Sequence, residues 1–196
     1  QALGYFQKTI AADPSYAPAY SGLADSYSSL GASSIVGGLP PRQAMPEAKA
    51  AALQALGIDS MLAEAHTSLA LVHLLYDWDL AACEKEFRRA NELNPNMAAA
   101  HYHYAWQLFL VDRLNEAIAE HERARDLDPL APRNTAYLSV LYTAAGRYDD
   151  AIAASKQVLE LNPRNGVGWE GLSFAYSMMG KHDEAIEASR KTAEYA

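Results

Sequence analysis

Apolar residues recur at helical spacing along the whole chain. Trp169, Leu172, Phe174, Ala175 and Tyr176 fall in one such run, and Ala185, Ile186 and Ala188 in the next. Separations of three, four and seven residues place side chains on one side of an α-helix. Nothing reads as a strand; Val140-Leu141-Tyr142 is short and lies in a helical frame. The helical runs are themselves periodic. Pro95, Pro129 and Pro163 are 34 residues apart. Each closes the same phrase: Asn91-Glu92-Leu93-Asn94-Pro95, Arg125-Asp126-Leu127-Asp128-Pro129, Leu159-Glu160-Leu161-Asn162-Pro163. Twelve residues before each proline stands a small side chain, Cys83, Ala117 or Ala151, and Ala185 follows on the same schedule. A period of this length predicts stacked helix pairs, each burying its apolar face on its neighbours.

Numbering each repeat so that its closing proline is position 32 puts helix A in roughly the first 14 positions and helix B at roughly 18 to 31. Residues 1–14 then read as a helix B without its helix A, closed by Asp13-Pro14. Repeats follow at about 17–62, 63–97, 98–131, 132–165 and 166–196, the last stopping inside its helix B, and form a single array over 1–196. The first is stretched. Its helix A carries Tyr20, Leu23, Ala24 and Tyr27 and ends at Gly31; Ala32 to Met45 is an insertion; helix B resumes by Pro46, where a first-turn proline loses no hydrogen bond. The second repeat runs one residue long in its A/B turn, Tyr76-Asp77-Trp78-Asp79.

The residues at fixed positions resemble the tetratricopeptide repeat (TPR). That family carries Trp, Leu, Gly/Ala and Tyr at positions 4, 7, 8 and 11, then Ala, Phe/Tyr, Ala and Pro at 20, 24, 27 and 32. The fifth repeat supplies Trp169, Leu172, Tyr176 and Ala185; the third supplies Tyr104, Ala105, Leu108, Ala117, Ala124 and Pro129; the second supplies Leu69, Ala70, Phe87, Ala90 and Pro95. The resemblance implies an all-α solenoid, a right-handed superhelix of antiparallel helix pairs. It departs where Ser139 and Ser173 replace Gly/Ala and where Ser155 and Ser189 replace the aromatic, so thinner helix–helix contacts are expected there. Tyr76-Asp77-Trp78-Asp79, Glu84 to Ala90, and Asp126-Leu127-Asp128-Pro129-Leu130-Ala131-Pro132 resemble a bacterial TPR subfamily. In that subfamily the arrays are joined to winged-helix regulators, serine/threonine kinases or nucleotide cyclases, which implies signalling or transcription regulation.

Charge and chemistry narrow the function. A net charge of −8 argues against nucleic acid, which selects a basic stripe. The lone Cys83 excludes an internal disulfide and a cysteine-based zinc site, and no 18-residue apolar run predicts a membrane span. A cytoplasmic location is expected, for a chain that opens partway through a repeat. His66 and His101 share position 4, a packing slot; His101 and His103 face different directions; no metal set converges. Gly37-Gly38 has no following lysine, and no carboxylate pair or Ser-His-Asp order stands out. No enzyme activity, cofactor or metal is expected.

The segment Ala100 to Leu110 is apolar on two faces. His101, Tyr104, Ala105 and Leu108 meet the structural positions, whereas Tyr102, Trp106 and Phe109 fall at positions 5, 9 and 12, which line the inner surface of TPR arrays. The equivalents are Thr67, Leu71 and Leu74 before, Ala136, Val140 and Thr143 after, Phe174 in the fifth repeat, and the polar Ser21, Asp25 and Ser28 in the first. The expectation is a protein-binding scaffold that holds a partner peptide or helix in an apolar, aromatic groove of Thr67, Leu71, Leu74, Tyr102, Trp106, Phe109, Ala136, Val140 and Phe174. Packing of neighbouring A helices on one another is the competing use of these side chains. A carboxylate clamp is not expected, because positions 2, 5, 6 and 9 offer only Arg133 as a cation. The alternative function is self-assembly or docking on an effector domain of the same protein. Uncapped ends, with Leu3, Phe6 and Ile10 at one and Ile186 and Tyr195 at the other, predict self-association. The insertion Ala32 to Met45 reads as a surface loop or as a flap over the groove.

Overall fold

A computed structural model describes residues 2–32 and 38–195. All regular structure among them is helical: α1 Ala2–Ala12, α2 Ala17–Ala32, α3 Pro41–Ile58, α4 Ala63–Val72, α5 Leu80–Leu93, α6 Ala98–Leu110, α7 Leu114–Leu127, α8 Pro132–Ala144, α9 Tyr148–Leu161, α10 Gly166–Met178 and α11 His182–Tyr195. The chain forms two compact units, Gln1–His103 and Tyr104–Ala196.

In the first unit, α2 packs on α3, α3 on α4, and α4 on α5. Alanines fill the crossings: Ala24, Ala48, Ala52, Ala55, Ala65 and Ala70 are all fully buried. Small side chains let helix axes approach closely, and interiors packed this densely leave no room for an added methylene. In the second unit α8 packs on α9 and α10, and α10 on α11, around Leu138, Leu141, Val158 and Leu172.

Two departures from the sequence reading concern the first unit. Helix α3 begins at Pro41, with Pro46 inside it. Pro46 forgoes one intrahelical bond, but the extra turn buries Ala44 and Met45, which pack against Gly31. A Cβ on Gly31 would stand 2.9 Å from the Met45 methyl. Of the insertion Ala32 to Met45, read as a surface loop or a flap, residues 33–37 lie outside the described residues and residues 41–45 belong to α3.

The long turn of the second repeat is a π-turn. After α4 the backbone passes through a π-helical segment, His73–Asp77, and the Trp78 N–H donates to the His73 carbonyl. The wider π ring takes up one residue without rotating the helix before it out of register. Leu69 and Leu74 stay buried on one side of the turn, and Cys83 and Phe87 on the other. Trp78 sits in the left-handed region at φ 55° and is 74% exposed. The later A/B turns use Asp112 at φ 60°, Gly146 at 72° and Gly180 at 73° in this conformation. Glycine adopts it without strain, aspartate tolerates it, and a bulky side chain does not.

The packing slot at position 4 follows a rule that the sequence did not reveal. His66 Nε2 lies 3.1 Å from the Ser60 carbonyl, His101 Nε2 lies 3.0 Å from the Pro95 carbonyl, and the Trp169 indole N–H donates to the Pro163 carbonyl at 2.8 Å. Each ring reaches the carbonyl six residues back, in the turn that closes the previous helix. Histidine replaces tryptophan here because an imidazole N–H can make the bond an indole N–H makes. His66 Nδ1 also meets Glu86 at 2.5 Å.

Candidate functional site

The first unit contains an open trough of about 500 Å³ on its A-helix face. Helix α2 contributes Pro18, Ser21, Gly22 and Asp25, and α4 contributes Glu64, Thr67 and Ser68. Leu62 precedes α4, Met97 precedes α6, Ala99 lies in the first turn of α6, and Phe6 of α1 closes one side. The α2 residues stand at positions 2, 5, 6 and 9 of their repeat and the α4 residues at positions 2, 5 and 6, about one turn apart along each helix, so they share a face. The hollow exists because these residues are small. A Cβ on Gly22 would collide with the Phe6 ring, and that ring therefore rests directly over the α2 backbone. The Thr67 hydroxyl donates to Ala63 within its own helix. Asp25 and Glu64 are the charged side chains of the lining. With carboxylates and no cation, the trough suits neutral or basic segments and disfavours a partner's carboxylate terminus.

The other residues expected to face a partner lie elsewhere. Leu71, Leu74 and Tyr102 are buried in the first unit, at 8%, 5% and 8% exposure, and Ala136 is buried in the second. In the second unit Trp106 and Phe109 are half-buried, and the Trp106 ring meets Phe109 edge-on at 5.8 Å and Tyr137 at 5.4 Å. Val140 is half-buried and Phe174 is 48% exposed. Thr67 alone of the nine lines the trough. The sequence pattern assigns Phe6 to an uncapped end and gives Gly22 no role. The available signal was a glycine inside an otherwise regular helix, which often marks a close approach.

The serine substitutions also behave differently from expectation at one junction. Ser139 and Ser155 are fully buried, and a Cβ on Gly171 would collide with both hydroxyls. Helices α8, α9 and α10 close up around three small residues, so the contact is tight. At the other pair, Ser173 and Ser189 hydroxyls meet at 2.6 Å at the surface.

Asp77, Cys83 and Tyr142 are held by packing and local hydrogen bonds. Lys49 donates to Asp77 at 2.6 Å and holds its carboxyl below the ordinary carboxylate range, with His73 adding a second contact at 2.8 Å. Burial pushes the Cys83 thiol up to about 12, where it is a packed apolar group and not a nucleophile. Burial, followed by the Tyr142–Glu122 hydrogen bond of 2.6 Å, pushes the Tyr142 phenol up to about 12. Among the described residues no cluster of His, Cys, Asp and Glu could hold a metal ion. No helix among them is long and apolar enough to cross a membrane.

Known proteins agree with this architecture. The tetratricopeptide repeat family model matches residues 142–193. The transcriptional regulator HilA of Salmonella typhimurium is 29% identical over 129 residues, covering 66% of this chain and 23% of its own length. The chain thus spans about a quarter of that relative. YrrB, a TPR protein with an unusual peptide-binding site, superposes with a TM-score of 0.69 at 18% identity, covering 97% of this chain and 91% of its own. PilF of Pseudomonas aeruginosa superposes with a TM-score of 0.71 at 22% identity, covering 88% of this chain and 76% of its own. Residues 142–193 therefore carry the tetratricopeptide-repeat signature in sequence, and the chain has the all-α fold of a TPR solenoid.

Proposed function

We propose that this protein-interaction module holds a peptide or helix of a partner against its A helices, with the trough beside Gly22 and Phe6 as the principal seat. The observation that carries the reading is the trough itself: a preformed hollow of about 500 Å³, lined by positions 2, 5, 6 and 9 of α2 and positions 2, 5 and 6 of α4. Preformed hollows with apolar walls and a few polar groups are where partner side chains bury most effectively. Leu71, Leu74, Tyr102 and Ala136 act as the packed support of the A-helix face. Trp106, Phe109, Val140 and Phe174 form a second contact surface in the other unit, which a partner covers by its own apolar side chains. YrrB, with its peptide-binding site on a like fold, supports the mode of binding. Similarity to HilA supports a place within a larger bacterial regulatory protein.

The test is selection from a displayed random-peptide library on the whole chain. Selected peptides should lose at least about tenfold in affinity on Ala99→Trp, which fills the trough without deleting an existing contact. Unchanged affinity on Ala99→Trp contradicts the seat. A second reading, self-assembly, is favoured by Ile186, which is 67% exposed on α11. It requires a mass in solution that rises with concentration and falls on Ile186→Glu.

A further inference from the structure

The second unit carries a trough unrelated to the A-helix seat. It lies between α9 and α11, over α10, with a volume of about 700 Å³. Trp169, Leu172 and Tyr176 of α10 form its floor, with Leu159 of α9 beside them. The outer floor side chains, Trp169 and Tyr176, are seven residues apart on one helix, a rise of about 10 Å. The bond from the Trp169 indole N–H to the Pro163 carbonyl fixes the largest ring, so the floor is preformed. The rims are charged and unequal. Lys156 and Glu160 stand on the α9 side; Asp183, Glu184 and Glu187 stand on the α11 side. Glu187 is paired with Arg190 at 2.6 Å. Glu160, Asp183 and Glu184 make no ion pair among the described residues. At one end Lys181 Nζ lies 5.8 Å from the centre of the Tyr176 ring, so a cation already uses that aromatic face.

We propose that this trough is a docking site for a basic amphipathic helix of another protein. Its apolar side chains, spaced i, i+3 or i+4 and i+7, lie on Trp169, Leu172 and Tyr176. Its Lys and Arg side chains face Asp183 and Glu184. The occupant is a helix because both walls are helices, whose backbone groups are already bonded and offer no edge to a strand. It is basic because the unpaired carboxylates Glu160, Asp183 and Glu184 outnumber Lys156 on the rim and Lys181 at one end, in a chain of net charge −8. Opposite charge at a rim sets partner choice and salt dependence, and the apolar floor supplies the burial. The inference stands apart from the seat beside Gly22, since no residue is shared.

The test uses two synthetic helical peptides with the same leucine stripe, one with lysine flanks and one with glutamate flanks, titrated into the ¹⁵N-labelled full chain. The lysine peptide should bind, perturb amides of α9, α10 and α11, and weaken as salt rises. The glutamate peptide should bind at least about tenfold more weakly. Asp183→Asn with Glu184→Gln should weaken the lysine peptide by about tenfold or more, whereas Glu47→Gln with Glu92→Gln, which removes the same charge from exposed sites of the other unit outside its trough, should leave it nearly unchanged. Ala99→Trp should also leave it unchanged. Equal binding of the two peptides, equal losses in the two charge variants, or shifts confined to other helices would overturn the proposal. The rim variants change only exposed side chains, and a circular dichroism spectrum verifies that both remain helical.

Discussion

Gly22 and Gly171 occupy the same position, the sixth, of the first and fifth repeats, and their surroundings have opposite outcomes. Above Gly22 stands Phe6, an aromatic ring at position 24 of the preceding helix B; above Gly171 stands Ser155 at the equivalent place. At the serine junction α8, α9 and α10 close until Ser139 and Ser155 are fully buried. At the phenylalanine junction the ring takes the space over the glycine and remains half-buried, and a trough is left beside it. A missing Cβ therefore has two uses in one fold: it admits a backbone, or it admits a ring that shapes a cavity. The neighbour at position 24 decides between them.

The largest expected effect comes from giving the closed junction the open one's side chain. Ser155→Phe forces a ring into a site with no room and should cost about 3 kcal/mol or more in urea unfolding. A cost near zero would mean that the junction can open, and the comparison would fail. Next is the glycine pair itself. Gly171→Ala meets two buried hydroxyls and should cost a net of about 1–2 kcal/mol, after allowing for alanine's better helix propensity. Gly22→Ala meets only the tip of the Phe6 ring, which can swing away, and should fall within about 0.5 kcal/mol of wild type while reshaping the trough. Equal costs in the two variants would remove the distinction.

Smaller effects sharpen the contrast between the turns of the two units. Trp78→Gly should raise stability by about 0.5 kcal/mol, because relief of left-handed strain exceeds the extra freedom glycine has when unfolded. The matching turn in the second unit already has Gly146, so Gly146→Trp should lower the urea midpoint. The π-turn is also acid-sensitive. Asp77 is held below its ordinary pKa by Lys49, so its contribution is present above about pH 4 and is lost as pH falls through the lowered value. The difference in urea midpoint between wild type and Asp77→Asn should therefore narrow from pH 7 to pH 3. A constant gap would show that Asp77 does not act through its charge.

Much of the fold was legible in the sequence because period and helical spacing are local. The prolines at 95, 129 and 163 mark where helices end, and Leu172, Tyr176 and Ala185 mark what they bury. The site was less legible. Leu71, Leu74 and Tyr102 stand at positions that line the inner face in TPR arrays, but they are buried, because large apolar side chains on adjacent helices fill the space between them. A hollow needs small residues across several helices, and Ser21, Gly22, Ser68 and Ala99 carry no apolar signal. The extra residue at 76–79 was visible, but its absorption by a π-turn was not, since that depends on the helices on both sides holding register. The insertion around Pro46 was misplaced because a first-turn proline is the usual choice, and the packing of Met45 on Gly31 overrode it.

The most direct test of the open-junction account is an amide-shift titration of the ¹⁵N-labelled chain with a library-selected peptide, run in parallel on wild type and Ala99→Trp. The account predicts that shifts on the wild type centre on Ser21, Gly22, Thr67, Ser68 and Ala99 and vanish in the variant. Shifts that centre on Gly171 and its neighbours, or that persist unchanged in Ala99→Trp, would contradict it.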